Sequence, residues 1–230
     1  MIDIHAHVLP GVDDGSSSLE SSLKMIKESY QQGVTDIICT PHYRDQYKST
    51  IAELRFALGD LKTNLDIPVN LYLGQEFFIN RNYKKDLLEK KAESMNGTDF
   101  LLVEFPFNDE IDIADLIYEL KTLSYKPIVA HIERYSYATL SVAEEVKSLG
   151  GLIQVNADSI VGKNKRHYKK FIKQLFTNDL VDFVASDIHE QRHNYMQKAR
   201  EEVAKKYGED VAERAFKLNA QKIIKGQAQA

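Results

Sequence analysis

Apolar positions along the chain fall into two alternating kinds of run. Short, nearly continuous apolar stretches rich in β-branched residues recur at 2–8, 35–40, 69–78, 100–105, 127–131, 152–156 and 182–187, and each predicts a strand. Between them, apolar residues recur at helical spacing. Ser17 with Glu20 forms a capping-box pattern, followed by Leu23, Ile26 and Tyr30, with Gly33 as the stop. Thr50 with Glu53 opens a second helix carrying Leu54, Leu58 and Leu61. Further helices are expected at 83–90, 113–123, from Ser141 and Glu144 to Gly150-Gly151, at 168–177, 195–207 and 209–217, and briefly at 221–225.

Strand and helix therefore alternate throughout, the pattern of βα units with a parallel sheet covered by helices. About seven units predict an α/β fold, a distorted (βα)7-type TIM-like barrel whose functional face lies at the C-terminal ends of the strands. No linker, repeat or low-complexity run divides the chain, so one domain over 1–230 is expected. Neither a Gly-rich dinucleotide loop nor a G-x-x-x-x-G-K-[ST] loop follows a strand, which weakens the open-sheet nucleotide-binding alternative.

Composition narrows the partners. Thirty Lys and Arg against 34 Asp and Glu give a net charge of −4, which argues against general affinity for nucleic-acid backbone. No apolar run is long enough for a transmembrane segment, and with a strand beginning at residue 2 no signal peptide is expected. The single cysteine, Cys39, excludes an internal disulfide, and a cytoplasmic location is expected.

The ionisable residues carry the chemistry. His5 and His7 stand two apart on the first strand, so both project to one side. His42 follows the second strand; Glu76 ends the third, Glu104 the fourth and His131 the fifth; Asp187 and His189 close the last. Charged groups directly after apolar runs need partners. Five of the chain's seven histidines occupy such positions, while His167 and His193 do not. With Asp14 the set offers nine nitrogen and oxygen donors and no thiolate. That is too many for one metal and suits two or three divalent ions sharing a carboxylate, with manganese, iron or zinc compatible on ligand type.

These motifs resemble those of the polymerase-and-histidinol-phosphatase (PHP) superfamily of metal-dependent phosphoesterases, and within it the bacterial capsule and exopolysaccharide tyrosine-protein phosphatases. The resemblance runs through 3–15 (D-I-H-A-H-V-L-P-G-V-D-D-G), Thr40-Pro41-His42, Gly74-Gln75-Glu76, Val103-Glu104-Phe105-Pro106, His131-Ile132-Glu133-Arg134 and Ser186-Asp187-Ile188-His189, covering nearly the whole chain. It implies up to three Mn²⁺ ions. His5, His7, Glu76 and Asp187 would hold one; Glu76 would bridge to a second held by Glu104 and His131; Asp14, His42 and His189 would hold a third. Arg134 is the implied phosphate-binding arginine, with Arg192 in a shortened loop beside it. The implied substrate is a phosphotyrosine protein, a bacterial tyrosine autokinase controlling capsule or exopolysaccharide synthesis.

The expected reaction is in-line attack on phosphorus by a hydroxide bridging two ions, with Glu76, Arg134 and Arg192 in the catalytic machinery. Tyr43 and Arg44, with Tyr47 nearby, are expected to contact substrate; Tyr135 and Tyr137 read equally as substrate contacts or as packing. Cysteine-based phosphatase chemistry needs C-x5-R, whereas four residues separate Cys39 from Arg44, so Cys39 reads as a buried small hydrophobe. Histidinol-phosphatase or another small-molecule phosphomonoesterase is the enzymatic alternative. A metal-binding protein that only docks a polysaccharide-pathway kinase is the non-enzymatic one. The basic stretch 163–173 reads as a solvated outer helix face.

Overall fold

The computed structural model describes residues 1–107 and 109–226. Nine strands occur among these residues: β1 (Ile2–Ala6), β2 (Asp36–Cys39), β3 (His42–Tyr43), β4 (Asn70–Leu73), β5 (Glu76–Phe78), β6 (Phe100–Glu104), β7 (Lys126–Val129), β8 (Leu152–Asn156) and β9 (Phe183–Ala185). All of their pairings are parallel. Hydrogen bonding gives the orders β1-β2-β4 and β3-β5-β6-β7-β8-β9.

Nine strands replace the seven expected because two of them bend. The strand at 35–40 resumes beyond Pro41 as β3, and the one at 69–78 splits around Gly74-Gln75 into β4 and β5. Pro41 has no N–H to give to a ladder. A Cβ at Gly74 would lie 2.9 Å from Met95 Sδ and 3.2 Å from Ile38 Cγ2, so glycine lets the chain pass closely here. Backbone bonds cross both breaks: Gly74 N–H donates to Cys39 O (2.9 Å) and Glu76 N–H to Pro41 O (3.1 Å). At the other edge, Asp187 N–H donates to His5 O (2.8 Å) and His7 N–H to Ile188 O (3.1 Å). The result is a mixed α/β fold curled around a parallel, half-barrel sheet.

Helices α1 (Leu19–Gln31), α2 (Ile51–Asn64), α3 (Tyr83–Leu88), α4 (Ile113–Thr122), α5 (Leu140–Ser148), α6 (Ala157–Ile160), α7 (Arg166–Thr177), α8 (Met196–Tyr207), α9 (Glu209–Glu213) and α10 (Asn219–Lys225) connect and cover the strands; a π turn, Arg214–Leu218, joins the last two. The capping box at α2 forms as expected, Thr50 and Glu53 satisfying each other's backbone N–H groups. At α1 the cap is Ser18, one residue later than expected, its hydroxyl accepting from Ser21 N–H, while Ser17 N–H donates to Glu190. At α5 Thr139 caps instead of Ser141.

Two apolar clusters hold the layers together. The larger packs helices against the sheet through residues such as Ile26, Ile37, Leu54, Ile117, Val146 and Leu175. The smaller joins Ile2, Ile4, Ile38, Leu102, Ile128 and Phe183 to Ala220 and Ile223 of α10. Leu102 and Phe183 share a strand face with Glu104 and Asp187 respectively, so this cluster underlies the ionisable residues. No helix among the described residues is long and apolar enough to cross a membrane.

Candidate metal centre

The strands and the turns that follow them deliver the candidate donors: His5 lies in β1, His42 and Glu76 open β3 and β5, Glu104 closes β6, and His7, Asp14, His131, Asp187 and His189 sit in the chain beyond β1, β7 and β9. In β1 the pairing register slips between Asp3 and Ala6. A slip of this kind re-aims side chains, and here it lets Ile4 join the inner apolar cluster while its neighbour His5 joins the donors. His131 and Asp187, two residues beyond β7 and β9, have left-handed backbones, with φ of +31° and +50°. His, Asn and Asp tolerate that region best among residues with a Cβ.

The donors expected from the sequence converge. His5 Nε2 lies 3.1 Å from His7 Nε2, 3.4 Å from Glu76 Oε1 and 3.6 Å from Asp187 Oδ1. His7 Nε2 is 3.4 Å from Glu76 Oε2 and 3.6 Å from Asp187 Oδ1. His131 Nε2 is 2.8 Å from Glu76 Oε1 and 3.8 Å from Glu104 Oε1, and His42 Nδ1 is 2.8 Å from Glu76 Oε2. His42 Nε2 and His189 Nε2 lie 3.4 and 3.9 Å from Asp14 Oδ1. Glu76 is central, one oxygen toward His5 and His131, the other toward His7 and His42. Four overlapping groups result, each with donor atoms within 4.8 Å of one another: His7-Asp14-His42-His189, His5-His7-Asp187, His5-Glu76-His131 and His42-Glu76-Glu104.

These spacings suit divalent metals. Bonds of 2.0–2.2 Å to imidazole and carboxylate place adjacent ligand atoms about 2.8–3.6 Å apart in octahedral or tetrahedral shells. Glu76 Oε2, Glu104 Oε2 and His42 Nδ1 are buried without a hydrogen-bond partner, although two of them are only 2.8 Å apart. Their close approach without hydrogen-bond alignment fits donors aimed at a shared cation. Charge points the same way. Burial and the adjacent Glu76 push Glu104 up to about 9. Burial alone would raise Glu76 too, but His5, His42 and His131 hold it well below the carboxylate range. A bound cation favours the ionised form of both carboxylates. Burial, with Arg134 nearby, lowers His131 to about 4, and burial with His7 lowers His189 to about 4, keeping both imidazoles neutral as ligation requires.

Residues outside the expected set hold the donors. Asp13 Oδ2 accepts from His7 Nδ1 (2.7 Å) and from His42 N–H (3.0 Å), while its Oδ1 accepts from Gly15 N–H (2.9 Å). Burial at His7 disfavours the cation, but Asp13 outweighs it and raises the imidazole well above its ordinary value. Behind His5, His131 and Asp187 stand Gln154 and Asn156 of β8. The signal for them was two uncharged polar residues two apart in an otherwise apolar strand.

Both candidate arginines rest on one carboxylate oxygen. Arg134 Nη1 is 3.1 Å and Arg192 Nη1 2.9 Å from Asp187 Oδ2, and the Arg134 guanidinium lies 4.5 Å over Phe107. Arg44 is half-buried, 3.5 Å from Asp14 and 3.9 Å from Glu104. Tyr43 departs from expectation. It follows His42 in extended chain, so its side chain takes the opposite face, 4% exposed and stacked on Phe77 at 5.1 Å. Buried there, it is not available to a substrate; Tyr47, stacked 6.1 Å from His42, stands nearer the donors. Tyr135 and Tyr137 also pack: Tyr135 OH accepts from Phe105 N–H and Tyr137 OH donates to Pro106 O, fixing the chain beyond β6. Cys39 is buried and burial pushes its thiol up to about 12.

Relatives place this arrangement in a family. A family model described as capsular polysaccharide synthesis, CpsB/CapC, matches residues 1–225. The tyrosine-protein phosphatase YwqE of Bacillus subtilis (strain 168) is 34% identical over 220 residues, spanning 92% of this chain and 87% of its own. The tyrosine-protein phosphatase CpsB of Streptococcus agalactiae is 34% identical over an alignment of 245 positions, covering 98% of both chains. A solved structure, described with YwqE from Bacillus subtilis and CpsB from Streptococcus pneumoniae as unique metal-dependent tyrosine phosphatases, superposes with a TM-score of 0.86 at 32% identity, covering 92% of this chain and 90% of that one. The chain thus belongs to the CpsB/CapC family of capsular polysaccharide synthesis.

Proposed function

We propose that this protein is a metal-dependent protein-tyrosine phosphatase acting on a bacterial tyrosine autokinase that controls capsule or exopolysaccharide synthesis. The observation that carries the reading is the convergence of nine nitrogen and oxygen donors at coordination spacing, in a chain whose relatives are tyrosine-protein phosphatases. We assign His5, His7, Glu76 and Asp187 to one ion, Glu76, Glu104 and His131 to a second, and Asp14, His42 and His189 to a third. Manganese is our choice, since imidazole and carboxylate without thiolate suit it, with iron or zinc as alternatives. When bound, the ions supply charge stabilisation at the phosphoryl oxygens and a water-derived nucleophile at neutral pH.

The protein's own groups do the rest. Glu76, with one oxygen toward each pair of histidines, would be shared between two of these ions. Arg134 and Arg192 exchange Asp187 for the nonbridging oxygens of the phosphoryl group, where guanidinium pairs best with developing charge. Arg44 at the rim meets the incoming phosphate. A phenolate leaving group, with a pKa of about 10, needs less protonation than an alkoxide. Four carboxylates against three divalent ions would leave the cluster at about +2, to which the two guanidiniums add, favouring the dianion of a phosphomonoester over a diester. The bonds across both strand breaks and between β1 and the chain after β9 support reading the half-barrel as a seven-unit (βα)7 barrel, a single domain. A cytoplasmic location accords with the single buried cysteine.

Dialysis against a chelator should abolish hydrolysis of a phosphotyrosine peptide, and Mn²⁺ should restore it. Full activity without metal would overturn the assignment. Histidinol phosphate assayed in parallel should turn over far more slowly; a preference for it would move the protein to the small-molecule alternative.

A further inference from the structure

Of the strand ends that surround the donors, β8 presents amides rather than ionisable groups: Gln154 and Asn156, both buried. We infer that Gln154 and Asn156 act as a polarity-locked positioning pair that sets the tautomer of His5 and the orientation of Asp187, an inference that rests on the metal centre proposed above.

The direction of every bond is forced. His131 backbone N–H can only donate, and it meets Gln154 at 2.7 Å, so that atom is Oε1. The amide's other arm is therefore NH₂, and it meets Asn156 at 2.8 Å, which requires Oδ1 there. Asn156 must then present its own NH₂ to Asp187 Oδ2 at 2.9 Å, and a carboxylate accepts it. Neither amide has an alternative that keeps the chain of bonds intact, so orientation follows from partners alone.

The consequence falls on His5. Its Nδ1 faces Gln154 Oε1 at 3.2 Å, an atom that cannot donate. Nδ1 therefore carries the proton, and Nε2 offers its lone pair toward His7, Glu76 and Asp187. The same oxygen pins the left-handed backbone of His131. At the far end, Asn156 with Arg134 and Arg192 occupies Asp187 Oδ2, leaving Oδ1 toward His5 and His7. The strand end is itself anchored, Asn156 N–H donating to Glu133 Oε1 at 3.0 Å. Two uncharged side chains thus orient three of the nine donors.

Histidine ¹⁵N spectra of the metal-free wild-type protein, at a pH where the imidazoles are neutral, test the tautomer without any variant. A protonated Nδ1 and bare Nε2 at His5 are expected; the reverse overturns the inference. Mn²⁺ titration by chelator competition tests the function of the pair. Gln154→Leu should weaken Mn²⁺ binding 10–100-fold, the usual cost of losing such a partner. Gln154→Glu, which keeps an acceptor for both histidine N–H groups but loses the donor to Asn156, should retain the His5 tautomer and bind more tightly than Gln154→Leu. Wild-type affinity in Gln154→Leu, or no recovery in Gln154→Glu, overturns the positioning role. If the wild type itself binds no Mn²⁺, the metal centre fails, while the spectra still decide the tautomer.

Discussion

Gly15 offers the sharpest single perturbation. A Cβ added there would sit 2.2 Å from His7 O and 2.3 Å from His7 Cβ. Ordinary carbon–oxygen contacts begin near 3.3 Å and carbon–carbon contacts near 3.5 Å, so the overlap is about 1 Å. Both clashing atoms belong to the His7 backbone or its first side-chain carbon, and no rotamer change can relieve them. The loop or His7 must move by about that distance, roughly half a metal–ligand bond. His7 belongs to two of the four donor groups. Gly15→Ala should therefore reduce bound metal and lower kcat on the order of 100-fold, the scale associated with 1 Å misplacements, with overpacking costing about 1–3 kcal/mol of stability. Gly11→Ala is the control. Gly11 has φ of +68° and nothing within 4 Å of its added Cβ, so it should lose about 1–2 kcal/mol through backbone strain alone and keep its metal. Urea melts, metal content and phosphotyrosine-peptide kinetics on both variants separate the two costs. If Gly15→Ala matched Gly11→Ala in metal content and kcat, the steric reasoning would be refuted.

Other expectations are simpler. Cys39→Ser should retain phosphatase activity, because a buried thiol pushed up to about 12 supplies no thiolate at neutral pH; loss of turnover with metal content intact would contradict this. Tyr43→Phe should leave kcat/KM unchanged, since the ring is stacked on Phe77, whereas Arg44→Ala should raise KM about tenfold, the scale of one charge-assisted contact. Glu133 is buried and raised to about 7, so the folded state binds the extra proton and stability falls as pH rises from about 4.5 to about 7. Glu133→Gln should remove a slope totalling about 3 kcal/mol across that window, read by urea melts from pH 5 to 8; an unchanged slope would show that Glu133 is not its source.

Much of the centre could be read from the chain because several donors follow an apolar run. Glu104 after Phe100-Leu101-Leu102-Val103 and Asp187 after Phe183-Val184-Ala185 mark strand ends by themselves, and parallel pairing brings such ends to one face. What escaped depended on neighbours distant in sequence. Gln154 is informative only once His131, 23 residues away, lies beside it, and Asp13 only once His42, 29 residues on, donates to it. The break at Gly74 depends on Met95 packing across it. The shift of the helix cap from Ser17 to Ser18 left no mark in a run of three serines. Tyr43 is a different case. The residue next to a ligand in extended chain points the other way, and that alternation was available from the sequence alone.

The left-handed backbones at His131 and Asp187 make the donors unequal in how they can evolve. At His5, Glu76 or Glu104 a replacement ligand has only to match reach and charge. At His131 and Asp187 it must also accept positive φ, which favours His, Asn and Asp over Glu. Drift in metal preference within this family should therefore run more readily through the strand-conformation ligands than through these two positions.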